Sequence, residues 1–241
     1  NLRIFSNVDI IVQNNIYTIQ VTEAFSIFPI PLIDYDETKD ELSLGMAVVN
    51  INFLGRDQDI FVGGKFYGEK STIFGFYDPW IYGDHVSFGL QVYNIIPVNI
   101  FYDFKYKKIN NKISFGFNKG NYKKYNFALG FLKNRITDIN EEHNHYDFLN
   151  SIKNEYNYIE YNFDYQFDKR DIYIDPTKGY LFNINVSYYN GLNETKDIYK
   201  FYLYYKKYLS IDIPLLKDPV LSYKINSFLQ FPDYFDLPLF E

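Results

Sequence analysis

Between Gly179 and Gly191 the chain alternates without a break. Tyr180, Phe182, Ile184, Val186 and Tyr188 fall on one parity, and Leu181, Asn183, Asn185 and Ser187 on the other. A strand sends successive side chains to opposite faces, so one face is aromatic and aliphatic and the other mostly amide and hydroxyl. The rhythm recurs. Ile159, Tyr161, Phe163, Tyr165 and Phe167 oppose Glu160, Asn162, Asp164 and Gln166. Val98, Ile100, Tyr102, Phe104 and Tyr106 oppose Asn99, Phe101, Asp103, Lys105 and Lys107, and Val86, Phe88, Leu90 and Val92 oppose Ser87, Gly89, Gln91 and Tyr93. Together these runs predict about eleven strands after residue 40, at 42–54, 57–67, 70–78, 85–94, 98–107, 111–118, 123–136, 154–168, 178–190, 196–209 and 219–231. Most reach ten residues, where soluble sheets usually use five or six. About ten is what a tilted strand needs to cross a bilayer.

Two folds satisfy such alternation: a soluble β-sandwich and a membrane-spanning barrel. They differ in what the second face carries. A sandwich turns Lys, Glu and Thr to solvent, whereas the face here holds Asn, Ser, Gly and Gln with Asp, Lys and Tyr among them. That suits a wet lumen, and the apolar parity is nearly free of charge in mid-strand, as a lipid-facing surface requires. Composition agrees. Tyr (26) and Phe (24) bring the aromatic share to 21% of 241 residues, yet mean hydropathy is -0.28 and 22% of residues are charged. No apolar run approaches the ~18 residues of a spanning helix. The expected fold class is therefore all-β, an antiparallel up-and-down transmembrane barrel.

The connections sort into two sets. One holds Tyr-Gly-Asp-His (82–85), Lys-Lys-Ile-Asn-Asn (107–111), the long 137–153 segment and Asn-Gly-Leu-Asn-Glu-Thr (190–195). The other holds Gly-Glu-Lys-Ser (68–71), Asn-Ile-Ile-Pro (94–97), Lys-Gly-Asn-Tyr (119–122) and the 169–178 connection. Barrels keep long loops outside and short turns on the periplasmic side, a rule the 169–178 connection strains. Before residue 29 the chain reads differently, as two short strands joined at Asn14-Asn15. Pro29 and Pro31 separate them from the rest.

Three segments resemble the outer-membrane assembly-factor superfamily, the BamA/TamA group also called bacterial surface antigens. Asn52, Phe53 and Gly55 resemble its Asn-Phe-x-Gly strand end, which the resemblance puts on the first barrel strand. The segment Phe76-Tyr77-Asp78-Pro79-Trp80, with Tyr77 and Pro79, resembles its Tyr-x-x-Pro strand end. Arg170-Asp171 with Pro176 and Gly179 resembles its Arg-Asp…Pro-Thr-x-Gly connection. The N-terminal strands resemble the end of a POTRA module, a periplasmic α/β unit, and Phe28-Pro29-Ile30-Pro31 the link from it to the barrel. The resemblance implies residues 1–28 as that remnant and 29–241 as a barrel incomplete at its C-terminus, sixteen strands being expected. Asp236–Glu241 then looks like the opening of a lumen-entering loop, and the chain reads as a piece of a longer precursor. The same resemblance implies insertion or translocation of other polypeptides through a seam between first and last strands, with Leu42, Leu44, Met46, Val48 and Asn50 on one side of it. Expected partners are the lipid bilayer, unfolded outer-membrane or secreted polypeptides, and periplasmic or lipoprotein factors. The expected location is the bacterial outer membrane, with the N-terminal segment in the periplasm. A passive channel or structural barrel, or a barrel anchoring an N-terminal passenger such as a lipase, remains as an alternative.

Catalysis finds little support. There is no Cys, which excludes disulfides and thiolate metal sites. His143 and His145 beside Glu141 and Glu142 invite a metal, but His-x-His in a polar loop lacks a third placed ligand. With three His in the chain, a hydrolase triad has no foundation. No enzyme activity, cofactor or metal is expected. A net charge of -6 disfavours nucleic acid.

Overall fold

A computed structural model describes residues 5–13, 16–36, 41–99, 104–139, 154–172, 175–213 and 218–232. The described chain is all-β. Strands β1 (Phe5–Gln13) and β2 (Ile16–Glu23) form an antiparallel hairpin of their own. Its Asn14-Asn15 turn lies outside the described residues. The main sheet runs through β3 (Ile27–Asp36), β4 (Glu41–Phe53), β5 (Gln58–Tyr67), β6 (Ser71–Asp78), β8 (Val86–Ile95), β10 (Phe104–Lys119), β11 (Lys123–Ile139), β12 (Glu155–Asp168), β13 (Gly179–Leu192), β14 (Ile198–Ser210) and β15 (Val220–Phe231). Two short pieces, β7 (Ile81–Asp84) and β9 (Val98–Asn99), lie in connections. Each long strand pairs antiparallel with the next one in this path, so the sheet is an up-and-down meander, open between β3 and β15.

The two faces separate as the parity predicts. On one, rings stack across strands in two rows. Tyr122, Phe167, Tyr180, Tyr205 and Tyr223 form a row with successive centroids 6.4, 5.5, 6.0 and 6.0 Å apart. Tyr161, Tyr188 and Tyr199 form another at 5.9 and 4.8 Å. Between the rows lie Ile113, Phe127, Leu129, Phe163 and Val186, lining an apolar groove. An apolar band between two aromatic rows is the outer surface of a membrane barrel. On the other face Asn162 Nδ2 donates to Ser187 Oγ at 2.7 Å and to Asn185 Oδ1 at 3.2 Å, and Asn183 Nδ2 donates to Asp164 Oδ2 at 2.8 Å. Lys112 pairs with the nearly buried Glu160 at 2.6 Å, and Lys105 with Glu69. Lys108 and Lys200 repel one another although β10 and β14 are four steps apart along the sheet. Only a sheet curled with its polar face inward brings them that close.

Several expectations need correction. The stretches 98–107 and 111–118 are not two strands: β10 is continuous from Phe104 to Lys119, and Lys-Lys-Ile-Asn-Asn lies within it. Its backbone is bonded on both sides, to β8 and to β11, and that double ladder overrides the turn preference of two asparagines. The segment Phe28-Pro29-Ile30-Pro31, read as a link, lies in β3. Proline is tolerated there because β3 is an edge strand. One strand lost and one gained leave eleven along the path. Joining β10 also re-sorts the connections. The ends of β4, β6, β10, β12 and β14 lie at the end of the sheet where β3 starts, and those of β5, β8 and β13 at the other. Tyr-Gly-Asp-His, Gly-Glu-Lys-Ser and Asn-Ile-Ile-Pro therefore change sides. Asn118 N donates to His85 O at 2.8 Å, tying that turn to the β10–β11 turn.

The expected seam strand also moves inward. Leu42, Leu44, Met46, Val48 and Asn50 lie on β4, which is paired to β3 through Tyr35↔Leu42 and Ile27↔Asn50, and to β5 on its other side. Among the described residues the outermost strand on this side is β3. The reason is again the prolines, which conceal a strand from any reading based on local preference.

Candidate functional site

The β12–β13 turn is built by charge. Asp168, the last residue of β12, accepts from Arg170 Nε at 2.8 Å and Nη2 at 2.6 Å, a bidentate fork, and from Arg170 N at 3.2 Å. The Arg170 guanidinium also bonds Tyr208, near the end of β14, and with Asp168 beside it is held protonated even more firmly than usual. Asp171 turns the other way. Its carboxylate accepts from Thr177 N at 3.0 Å, Lys178 N at 3.1 Å and the Thr177 hydroxyl. Those bonds, the hydroxyl's first, hold its pKa down at about 2. Gly179 closes the turn at φ +102°, and a Cβ there would stand 2.1 Å from Lys169 O. Only glycine fits. Lys169 N donates to Tyr180 O at 2.8 Å, so the chain re-enters β13 already paired.

The other two motif segments are turn devices as well. Asn52 Oδ1 accepts from Asp57 N at 2.9 Å, and Gly55 N donates to Asn52 O at 3.0 Å. Leu54, Gly55 and Asp57 all have positive φ (56°, 69° and 56°). Phe53 pairs with Gln58 at the close of that turn. Tyr77, next to last in β6, lies on the polar face, 3.8 Å from where a Gly89 side chain would begin. Next to it the buried Asp78 accepts from Gln58 Nε2 at 2.6 Å and from Trp80 N at 2.8 Å, which shapes the bend at Pro79. All three segments thus lie at the end of the sheet where β3 starts. Sequence reading missed Asp78 and Gln58, although the Asp-Pro pair after an apolar strand is a turn signal that could have pointed to Asp78. His143, His145, Glu141, Glu142 and Asp236–Glu241 lie outside the described residues.

The polar face offers space and the edges offer backbone. A groove of about 490 Å³ runs over the polar side of β4 to β10, lined among others by Val49, Phe61, Tyr77, Gln91, Lys112 and Ser114. Gly89 lines it so close to Ser114 that an added Cβ would approach that hydroxyl to 2.5 Å. Beyond the groove, the outward backbone groups of β3 and β15 have no strand beside them among the described residues. Groups left so in hydrocarbon cost several kcal/mol each. What the described residues offer is backbone for strand pairing along the outermost strands and a groove over the inner face.

Comparison with known proteins agrees with this geometry. The family described as the Omp85 superfamily domain matches residues 52–239. Among solved structures, the fold is similar to that of BamA from Haemophilus ducreyi lacking POTRA domains 1-3, with a TM-score of 0.58 and 15% identity. That likeness covers 95% of this chain and 47% of the other, so the chain spans about half the length of that structure. No curated protein sequence matches.

Proposed function

This chain belongs to the Omp85 superfamily, and from that premise we propose that it is part of a bacterial outer-membrane barrel that inserts or translocates other polypeptides. Its apolar face and aromatic rows meet lipid, and its polar face lines the interior. The end carrying the three motif turns faces the periplasm, together with the β1–β2 hairpin as the remnant of a POTRA module spanning 1–28. The motif residues Asn52, Phe53, Gly55, Tyr77, Pro79, Arg170, Asp171, Pro176 and Gly179 act as structure there: they set turns. The observation that carries the functional reading is the match of the Omp85 superfamily domain over residues 52–239, laid on an eleven-strand meander that begins with β3. An edge presents a row of backbone donors and acceptors, and an incoming strand can add to it. Leu42–Asn50 on β4 then supports the seam from behind.

The test is a cysteine pair joining β3 to the last strand of the full-length protein. Client assembly should stop when the pair is oxidised and recover with reductant. Normal assembly with the seam locked would refute the proposal. The groove on the inner face favours a second reading, a passive channel. That reading predicts steady conductance in planar bilayers and no effect of depletion on other barrel proteins.

A further inference from the structure

The two strands outermost among the described residues, β3 and β15, are not equivalent, and the difference follows from two hydrogen bonds. Ile51 N donates to Ser26 O at 2.9 Å, in register with the β3–β4 ladder. Antiparallel pairs alternate between bonded and non-bonded. Even-numbered residues of β3 therefore bond to β4, and Ile27, Pro29, Pro31, Ile33 and Tyr35 direct their backbone groups outward. Two of these five have no N–H. At the opposite edge Ile211 N donates to Pro219 O at 3.1 Å, in register with the β14–β15 ladder. That turns Ser222, Lys224, Asn226, Phe228 and Gln230 outward, each with its donor. The edge of β15 is complete. The edge of β3 is interrupted at adjacent outward positions, both nearer its Ile27 end.

The far end of β3 is also the anchored one. Asp34 reaches across β4 to Lys65 Nζ at 2.5 Å. Donors at Ile33 and Tyr35 flank that ion pair, whereas the Ile27 end has one donor followed by two prolines. We infer that in the full-length protein the strand that closes the barrel against β3 is hydrogen-bonded at Ile33 and Tyr35 and unzipped from Ile27 to Pro31. The seam is then built to part from the end where β3 starts, and Pro29 and Pro31 decide where. This rests on the proposed seam and adds its direction.

Amide exchange of the full-length, isotope-labelled protein in bilayer discs tests it. Phe28 and Ile30 bond to β4 and serve as protected references. Ile33 and Tyr35 should exchange at least a hundredfold more slowly than Ile27. Ile27 protected to the same degree as Ile33 would overturn the inference. In a Pro29→Val/Pro31→Val variant, the two introduced amides and that of Ile27 should become protected and the rate of client insertion should fall. Introduced amides that exchange freely would overturn it equally. Exchange reads the seam whether or not clients are inserted. A locked seam that leaves assembly normal would refute the proposed function alone.

Discussion

The Arg170–Asp168 fork at the β12–β13 turn invites a quantitative test. Both side chains are largely covered, at 12% and 15% exposure, so solvent screens the pair only in part. Charge-assisted bonds are worth about 1.5–3 kcal/mol each and are not additive within one fork. Arg170→Ala removes two of them and the bond to Tyr208. The Arg170 backbone N–H still serves Asp168, and water reaches the vacated site. The net loss should be about 2–4 kcal/mol. Arg170→Lys keeps the charge but not the planar fork, and should lose about 1–2 kcal/mol. Asp168→Asn in the Arg170→Ala background should cost little more, giving a coupling of about 2 kcal/mol. The assay is urea unfolding of the full-length barrel in detergent micelles, followed by its heat-modifiable migration on gels. If both Arg170 variants unfold within about 0.5 kcal/mol of the parent, the fork does not hold the turn. If they unfold normally but client assembly fails, the turn is a contact site rather than a structural one.

Asp171 supplies a pH test of the same turn. Its folded pKa of about 2 lies below the usual carboxylate value, so its contribution is present above about 4 and is lost as pH falls through 2. An NMR titration of its side chain should show that depressed midpoint, and Thr177→Ala should raise it. A methyl group at Gly179 has no room, so Gly179→Ala should destabilise the barrel by about 2 kcal/mol or more in the same unfolding assay. Facing is tested by two lysines on neighbouring residues of β13. Val186→Lys should cost about 2–4 kcal/mol in vesicle unfolding, and Asn185→Lys much less. Equal costs would show that the faces are assigned wrongly. Glu160→Gln strips Lys112 of its nearly buried partner and should cost about 3 kcal/mol.

What the sequence determined by itself is what depends on neighbours along the chain. Alternation from Tyr180 to Tyr188 settled which side chains share a face, because parity follows from backbone geometry alone. Asp171, Pro176 and Gly179 announced a turn for the same reason, since each acts on its own backbone. The tertiary structure decided what depends on strands far apart. Pro29 and Pro31 read as a break, yet β3 is a strand whose missing donors point away from β4. Asn110 and Asn111 read as a turn, yet two flanking ladders hold them extended. The edge therefore passed from Leu42–Asn50 to Ile27–Asp36, and Tyr-Gly-Asp-His changed ends. Pairing is non-local: a residue's own preference is weighed against hydrogen bonds that exist only once its neighbours across the sheet are in place.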